Sequence, residues 1–228
     1  MKSHQSQWKR PDRIRGLFKF GERTHMEELI HEGHLFMNTL SYYIELERDC
    51  LRADSDEGLD YTIAADGAAL SMDHEGEWKP VGTIRGAIRH RKSDPREMNV
   101  YCMHTLREDI TSVDPRNLEF GDTCVVFVDG DEFIRRVKLE ARRHDLPISW
   151  NLVEYLDLET HTGPVGPFRK ASLFAHQSEW RIVLNPGPGK PFSLRIGDVS
   201  DIARIGPLRD LNDRLQVVGD SFGIWGSP

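Results

Sequence analysis

The chain has 228 residues, a length that buries a good core in one domain, and its 38% hydrophobic and 29% charged residues argue against disorder. Its net charge of −7 argues against a general duplex-binding domain. No apolar run approaches the length of a membrane span, and the polar, basic start MKSHQSQWKRPDRIRG lacks the apolar centre of a secretion signal, so a cytoplasmic protein without membrane association is expected. The three cysteines, Cys50, Cys102 and Cys124, are far apart and form no CxxC pair. They read as buried small hydrophobes rather than as a zinc ribbon or a disulfide framework.

Residues 1–14 form a basic N-terminal arm, and residues 15–228 read as a single α+β domain. Leu17 to Phe20 predicts a short strand ending at Gly21. Thr24 then caps a helix, with Glu27 completing a capping box and Met26, Leu29 and Ile30 on one apolar face. Gly33 ends that helix. Leu35 to Asn38 predicts a second strand, followed by a helical turn from Leu40 to Leu46. Arg52 to Asp60 is an acidic loop, read as solvated.

Tyr61 to Ala64 and Ala68 to Met72 flank Asp66-Gly67, a hairpin signal. Strands are predicted at Trp78–Ile84, Val100–Leu106 and Thr123–Val128. A helix capped by Asp131 runs to about Arg143, and a strand spans Ser149 to Leu156. His161 to Pro167, rich in Gly and Pro, is a loop suited to wall a cleft. Glu179 to Leu184 alternates as a strand. Phe192–Ile196, Ile202–Ile205 and Leu215–Val218 are expected to finish the sheet. Short connections and many strands predict a mixed, mostly antiparallel central sheet.

Several chemistries lack their motifs. GxGxxG, a phosphate loop, HExxH and GxSxG are absent. His25, His31 and His34 straddle the helix-ending Gly33, so no metal is expected there. Basic residues cluster around Lys9–Arg15, Arg85–Lys92 and Arg135–Arg143, which reads as three solvated faces or as a groove for a polyanion.

What remains is a strand, helix, strand start (GLFKFGERTHMEELIHEGHLFMNTLSYY), the broken loop before residue 170, and His176-Gln177-Ser178-Glu179-Trp180-Arg181 opening a late strand. With these features the chain resembles the ADP-ribosyltransferase superfamily of the Gln-x-Glu type. In that family a Glu opens a late strand and a first strand holds the nicotinamide dinucleotide. The start also resembles poorly characterised bacterial proteins whose acidic D-x-x-E-G loop is here Asp54 to Gly58, some of them similar to RNA-modifying toxins of phage defence.

The resemblance implies NAD as substrate and Glu179 as the carboxylate that steadies the ribose cation, with Gln177 aiming the acceptor. Gln177 is expected to point the same way as Glu179 if the strand starts that early. Lys19 or Arg15 meets the phosphates, and Phe20 and Asn38 belong to the two strands that hold the dinucleotide. Thr39, Ser41 and Tyr42 frame nicotinamide, unless the hydroxyls are simple caps and the tyrosine is core. The first strand has Lys19 where the family shows Arg or His. The implied partners are NAD, a nucleic acid or protein acceptor, and an antitoxin or regulatory partner. Two other readings stand beside this one: an inactive binding module of the same fold, and a nuclease using the acidic loop with a divalent metal.

Overall fold

The computed structural model describes residues 14–45, 56–107, 112–218 and 221–223. The chain begins with β1 (Ile14–Gly21), α1 (Arg23–Glu32), β2 (His34–Thr39) and α2 (Leu40–Glu45). Gly33 adopts a left-handed conformation, φ 58°, and its N–H donates to the Glu28 and Leu29 carbonyls, ending α1 as its position suggests. The expected capping box is absent. The helix starts before Thr24, directly off β1, with Glu22 at its N-cap and no side-chain cap. Glu27 is held instead by Arg23 at 2.7 Å.

β3 (Tyr61–Ala64), β4 (Ala69–His74), β5 (Glu77–Thr83) and β6 (Ala87–His90) form one long arm. The turn at Asp66-Gly67 does not fold β3 onto β4. β3 pairs with β6 and β4 with β5, so the chain reverses at Glu75-Gly76, where both residues have positive φ. Asp66 instead accepts a hydrogen bond from the Gly86 N–H at 2.9 Å, tying the arm across its midpoint.

β7 (Asn99–Arg107), β8 (Thr123–Phe127) and α3 (Gly130–Arg143) follow. The cap of α3 is Asp129 rather than Asp131. Its carboxylate accepts from the Glu132 N–H at 2.9 Å. The predicted strand at Ser149–Leu156 divides at Val153 into β9 (Ile148–Leu152) and β10 (Glu154–Leu156). The Gly- and Pro-rich loop carries only the short β11 (Gly163–Pro164). β12 (Arg169–Ala171), β13 (Glu179–Leu184), β14 (Phe192–Arg195), β15 (Ala203–Pro207), α4 (Leu211–Arg214), β16 (Gln216–Val218) and β17 (Ser221–Gly223) complete the chain. β16 pairs with β17 in a separate hairpin, not with the main sheet as expected.

The fold is α+β. Its eight-stranded sheet has the order β14-β2-β7-β1-β8-β15, with β13 joining β7 to β9, and every pairing in it is antiparallel. One face of the sheet carries the main core, where Leu17, Tyr101, Met103, Trp180 and Ile182 pack with Met26, Leu29 and Ile30 of α1 and Phe133, Val137 and Ala141 of α3. The opposite face is divided. One cluster gathers around Phe18, Phe20, Leu106, Val126 and Leu208, and another around Leu40, Met98, Val100 and Val183. Polar residues fill the interval between them. Among the described residues no helix is long and apolar enough to cross a membrane.

Candidate active site

The sheet is split at its centre. β13 occupies one edge of β7 from Asn99 to His104. β1 and β2 share the other edge: β1 takes His104 to Arg107, and β2 takes only Asn99 and Val100. Tyr101 to Met103 lie between them. Lys19 spans this opening. Its ammonium donates to the Cys102 carbonyl at 2.7 Å and sits 4.4 Å from the centre of the Tyr101 ring.

A pocket of about 120 Å³ opens at the split, walled by Phe18, Lys19 and Phe20 of β1, Cys102 and His104 of β7, and Glu179 of β13. On this scale one water takes about 10–15 Å³, so the space matches one ring-sized group. A larger ligand extends across the mouth.

Alternation along β13 sends Trp180 and Ile182 into the main core and Glu179 and Arg181 to the pocket face. The turn before β13 aims Glu179. Ser178 takes a left-handed conformation, φ 42°, uncommon for a residue with a side chain. It is held there by β7: its hydroxyl donates to the Thr105 carbonyl at 2.9 Å, and the Thr105 N–H donates to its carbonyl at 2.8 Å. The Glu179 N–H donates to the Tyr155 hydroxyl at 2.9 Å. Strain of this kind persists only where the surroundings over-determine it.

Glu179 is 8% exposed. It pairs with Arg181, whose Nε donates to Oε2 at 2.7 Å, and with Lys170, whose ammonium donates to Oε1 at 3.0 Å. The second carboxylate of the site comes from the acidic loop. Glu57, 2% exposed, receives both terminal nitrogens of Arg181 at 2.7 and 2.9 Å. The expectation of a solvated loop therefore fails at Glu57, while Asp54 and Ser55 lie outside the described residues. Two carboxylates and two cations give a quartet with no net charge. Burial alone raises the Glu179 pKa, but the Arg181 and Lys170 charges and their hydrogen bonds outweigh it and hold the group well below the usual carboxylate range. Burial likewise works against charged Lys170, and the Glu179 and Glu57 carboxylates keep its pKa raised. Cys102 behaves oppositely: burial and the nearby Glu179 push its thiol up to about 12, so it stays neutral.

Gln177 also lines the pocket, for a reason other than the one expected. It ends the turn before β13 instead of lying on the strand, and its side-chain oxygen accepts from Lys170 at 2.7 Å. Lys19, Phe20, Gln177 and Glu179 thus meet at one pocket. Asn38, Thr39, Ser41 and Tyr42 are not among its lining residues. Thr39 and Ser41 bond each other at 2.8 Å, Tyr42 is exposed, and Leu40 and Tyr43 line the pocket in their place. Arg15 lies within β1 rather than before it, and its side chain is outside the described residues. The sequence reading missed Glu57, Lys170, His104 and Asn117. The one available signal was Arg181, a cation in a strand otherwise apolar enough to be buried, which requires a second carboxylate.

The basic cluster at Lys9–Arg15 lies outside the described residues apart from the Arg15 backbone, and the other two are partly paired. On α3, Arg135 and Arg136 both bond Glu132, Arg136 also bonds Asp201, and Arg143 bonds Glu140. Arg89 meets Asp56 and Glu159. Among the described residues no three His, Cys, Asp or Glu side chains gather as a metal site. Comparison with models of protein families, with curated proteins and with solved structures finds no match to the chain.

Proposed function

We propose that the chain is an ADP-ribosyltransferase-like enzyme that cleaves NAD in the cytoplasm and passes ADP-ribose to a nucleic acid or protein acceptor, in the manner of a bacterial defence toxin. The observation that carries this reading is the place of Glu179: an ionised carboxylate at the head of β13, buried, and facing the same pocket as Lys19 and Phe20 of β1. Rupture of the nicotinamide–ribose bond builds positive charge on the ribose, and a fixed carboxylate in a desolvated site stabilises that charge as it forms. A carboxylate offers about four acceptor positions, so bonds to Lys170 and Arg181 leave Glu179 able to accept a ribose hydroxyl. Arg181 and Lys170 keep it ionised and oriented, while the pocket admits the departing ring.

The test is nicotinamide release, together with transfer of label from adenylate-labelled NAD to macromolecules of a cell extract. Glu179→Gln is expected to lower turnover by about 100-fold or more, the scale of a lost electrostatic partner. Undiminished turnover in that variant, or no NAD binding to the wild type by calorimetry, overturns the proposal.

One observation favours a second reading, a binding module without turnover. Both Glu179 oxygens already accept from cations, so much of the charge on the carboxylate is compensated before any ligand arrives. NAD binding without transfer of label selects it.

A further inference from the structure

His104, the cross-strand partner of Glu179, and Asn117 bring to the pocket two hydrogen-bond acceptors that no described residue satisfies. His104 is 6% exposed, and its Nδ1–H donates to the Gln177 carbonyl at 2.8 Å. A carbonyl only accepts, so Nδ1 carries the proton and Nε2 is left with a lone pair. Burial lowers the His104 pKa to about 4, against the opposing bond to Gln177, so the ring is neutral near pH 7. Nε2 is buried and has no partner among the described residues. Asn117 is fully buried. Its amide nitrogen donates to the His176 carbonyl at 2.6 Å, which leaves Oδ1 as a second buried acceptor without a partner.

A buried acceptor left unmade costs about 1–3 kcal/mol, and two of them line one pocket. Asn99 Oδ1 and His176 Nε2, also buried without a partner among the described residues, belong to residues that do not line it. Aromatic rings stand beside His104. The Phe20 ring lies 5.4 Å from that of His104, tilted by 32°, and the Phe18 ring stands edge-on at 6.1 Å. Phe120 adds a third ring to the lining. Acceptors without donors, set among aromatic faces, select a planar group that brings its own N–H.

We propose that this end of the pocket binds an uncharged planar ring bearing an NH₂ group, an exocyclic amine or a primary amide, through the His104 Nε2 and Asn117 Oδ1 acceptors. The assignment does not use Glu179 and holds whatever reaction the quartet supports. A carboxylate or ester in place of the amine or amide presents acceptors to acceptors and is rejected.

The test uses two pairs of probes of matched shape, adenine against purine and benzamide against methyl benzoate, titrated into the full-length protein with ¹⁵N-labelled histidine. In at least one pair the NH₂-bearing member is expected to bind about tenfold or more tightly, the scale of one hydrogen bond, and to move the His104 Nε2 resonance as that atom gains a donor. The pair that discriminates distinguishes an amino-nucleobase from a primary amide. His104→Phe keeps the ring and removes the acceptor, and is expected to bring the preference within twofold. Equal binding within both pairs, an Nε2 resonance unmoved at saturation, or no binding of either NH₂-bearing probe at millimolar concentration overturns the proposal. The wild-type resonance decides the matter even if the variant does not fold.

Discussion

Replacing Arg181 by Met tests the buried quartet directly. The guanidinium, 2% exposed, donates to Glu179 at 2.7 Å, to Glu57 at 2.7 and 2.9 Å, and to the Pro167 carbonyl at 2.8 Å. Met fills similar length and supplies none of these bonds. Glu57 and Glu179 then share Lys170 alone, at 3.6 and 3.0 Å. Breaking a buried ion pair from one side costs about 3–5 kcal/mol, so a loss of about 4 kcal/mol is expected at pH 7. That is a large part of the ~5–15 kcal/mol that holds a typical domain folded. With an m-value of about 2 kcal/mol/M, the urea midpoint falls by about 2 M. The pH dependence adds a second check. The folded Glu179 pKa lies below its unfolded value, so this carboxylate contributes stability above about pH 4.3 and loses it as pH falls further. Without Arg181 the Glu179 carboxylate protonates more readily in the folded state, and the gap between variant and wild type narrows below about pH 4. A loss under about 1 kcal/mol, or a gap unchanged between pH 7 and pH 3, refutes a dry, ion-paired quartet.

Three further outcomes follow from the geometry. Gly33→Ala is expected to cost well over about 1 kcal/mol by urea denaturation, because φ is 58° and the added Cβ meets the Gly197 carbonyl oxygen at 2.2 Å. Gly67→Ala, at φ 79° with open space around it, carries only the backbone strain, so equal losses contradict the close approach of α1 to Gly197. Asp129→Ala is expected to lower stability by about 1 kcal/mol, or Tm by about 2–4 °C, whereas Asp131→Ala does less; the reverse order returns the cap to Asp131. His104 has a folded pKa of about 4 and an ordinary one of 6.5. It therefore favours folding above about pH 6.5 and withdraws about 3 kcal/mol as pH falls from 6.5 to 4, at about 1.4 kcal/mol per pH unit. A stability–pH curve whose slope in that window survives in His104→Phe counts against this.

The elements that depend on near neighbours were legible. Gly33 stops a helix through its own φ, and Glu179 to Leu184 alternates because two faces of one strand meet different surroundings. The α+β class followed from such local signals. The errors arise where distant residues decide. Asp66-Gly67 carries a hairpin signal, but pairing of β3 with β6 moves the reversal to Glu75-Gly76. An acidic loop looks solvated until Arg181, 124 residues away, draws Glu57 inward. Thr24 and Glu27 have the spacing of a capping box, yet the exit of β1 places Glu22 at the helix start. Of the site, Glu179, Gln177, Lys19 and Phe20 stood out through the family resemblance, which marks the first strand and the opening of the late one. His104 and Asn117 left no local mark, since an orphaned acceptor is defined by everything folded around it.

The Lys19 span gives the sheet a joint that ordinary pairing cannot provide. Two strands joined by backbone hydrogen bonds stay about 4.8 Å apart, and widening them breaks the ladder. Here β1 and β2 flank an interval of β7 that is held from β1 by the tip of a four-carbon side chain. Rotations about its carbon–carbon bonds lengthen or shorten that tether in small steps while the ladders on either side remain whole. A group entering this interval therefore meets one flexible side chain rather than a paired strand.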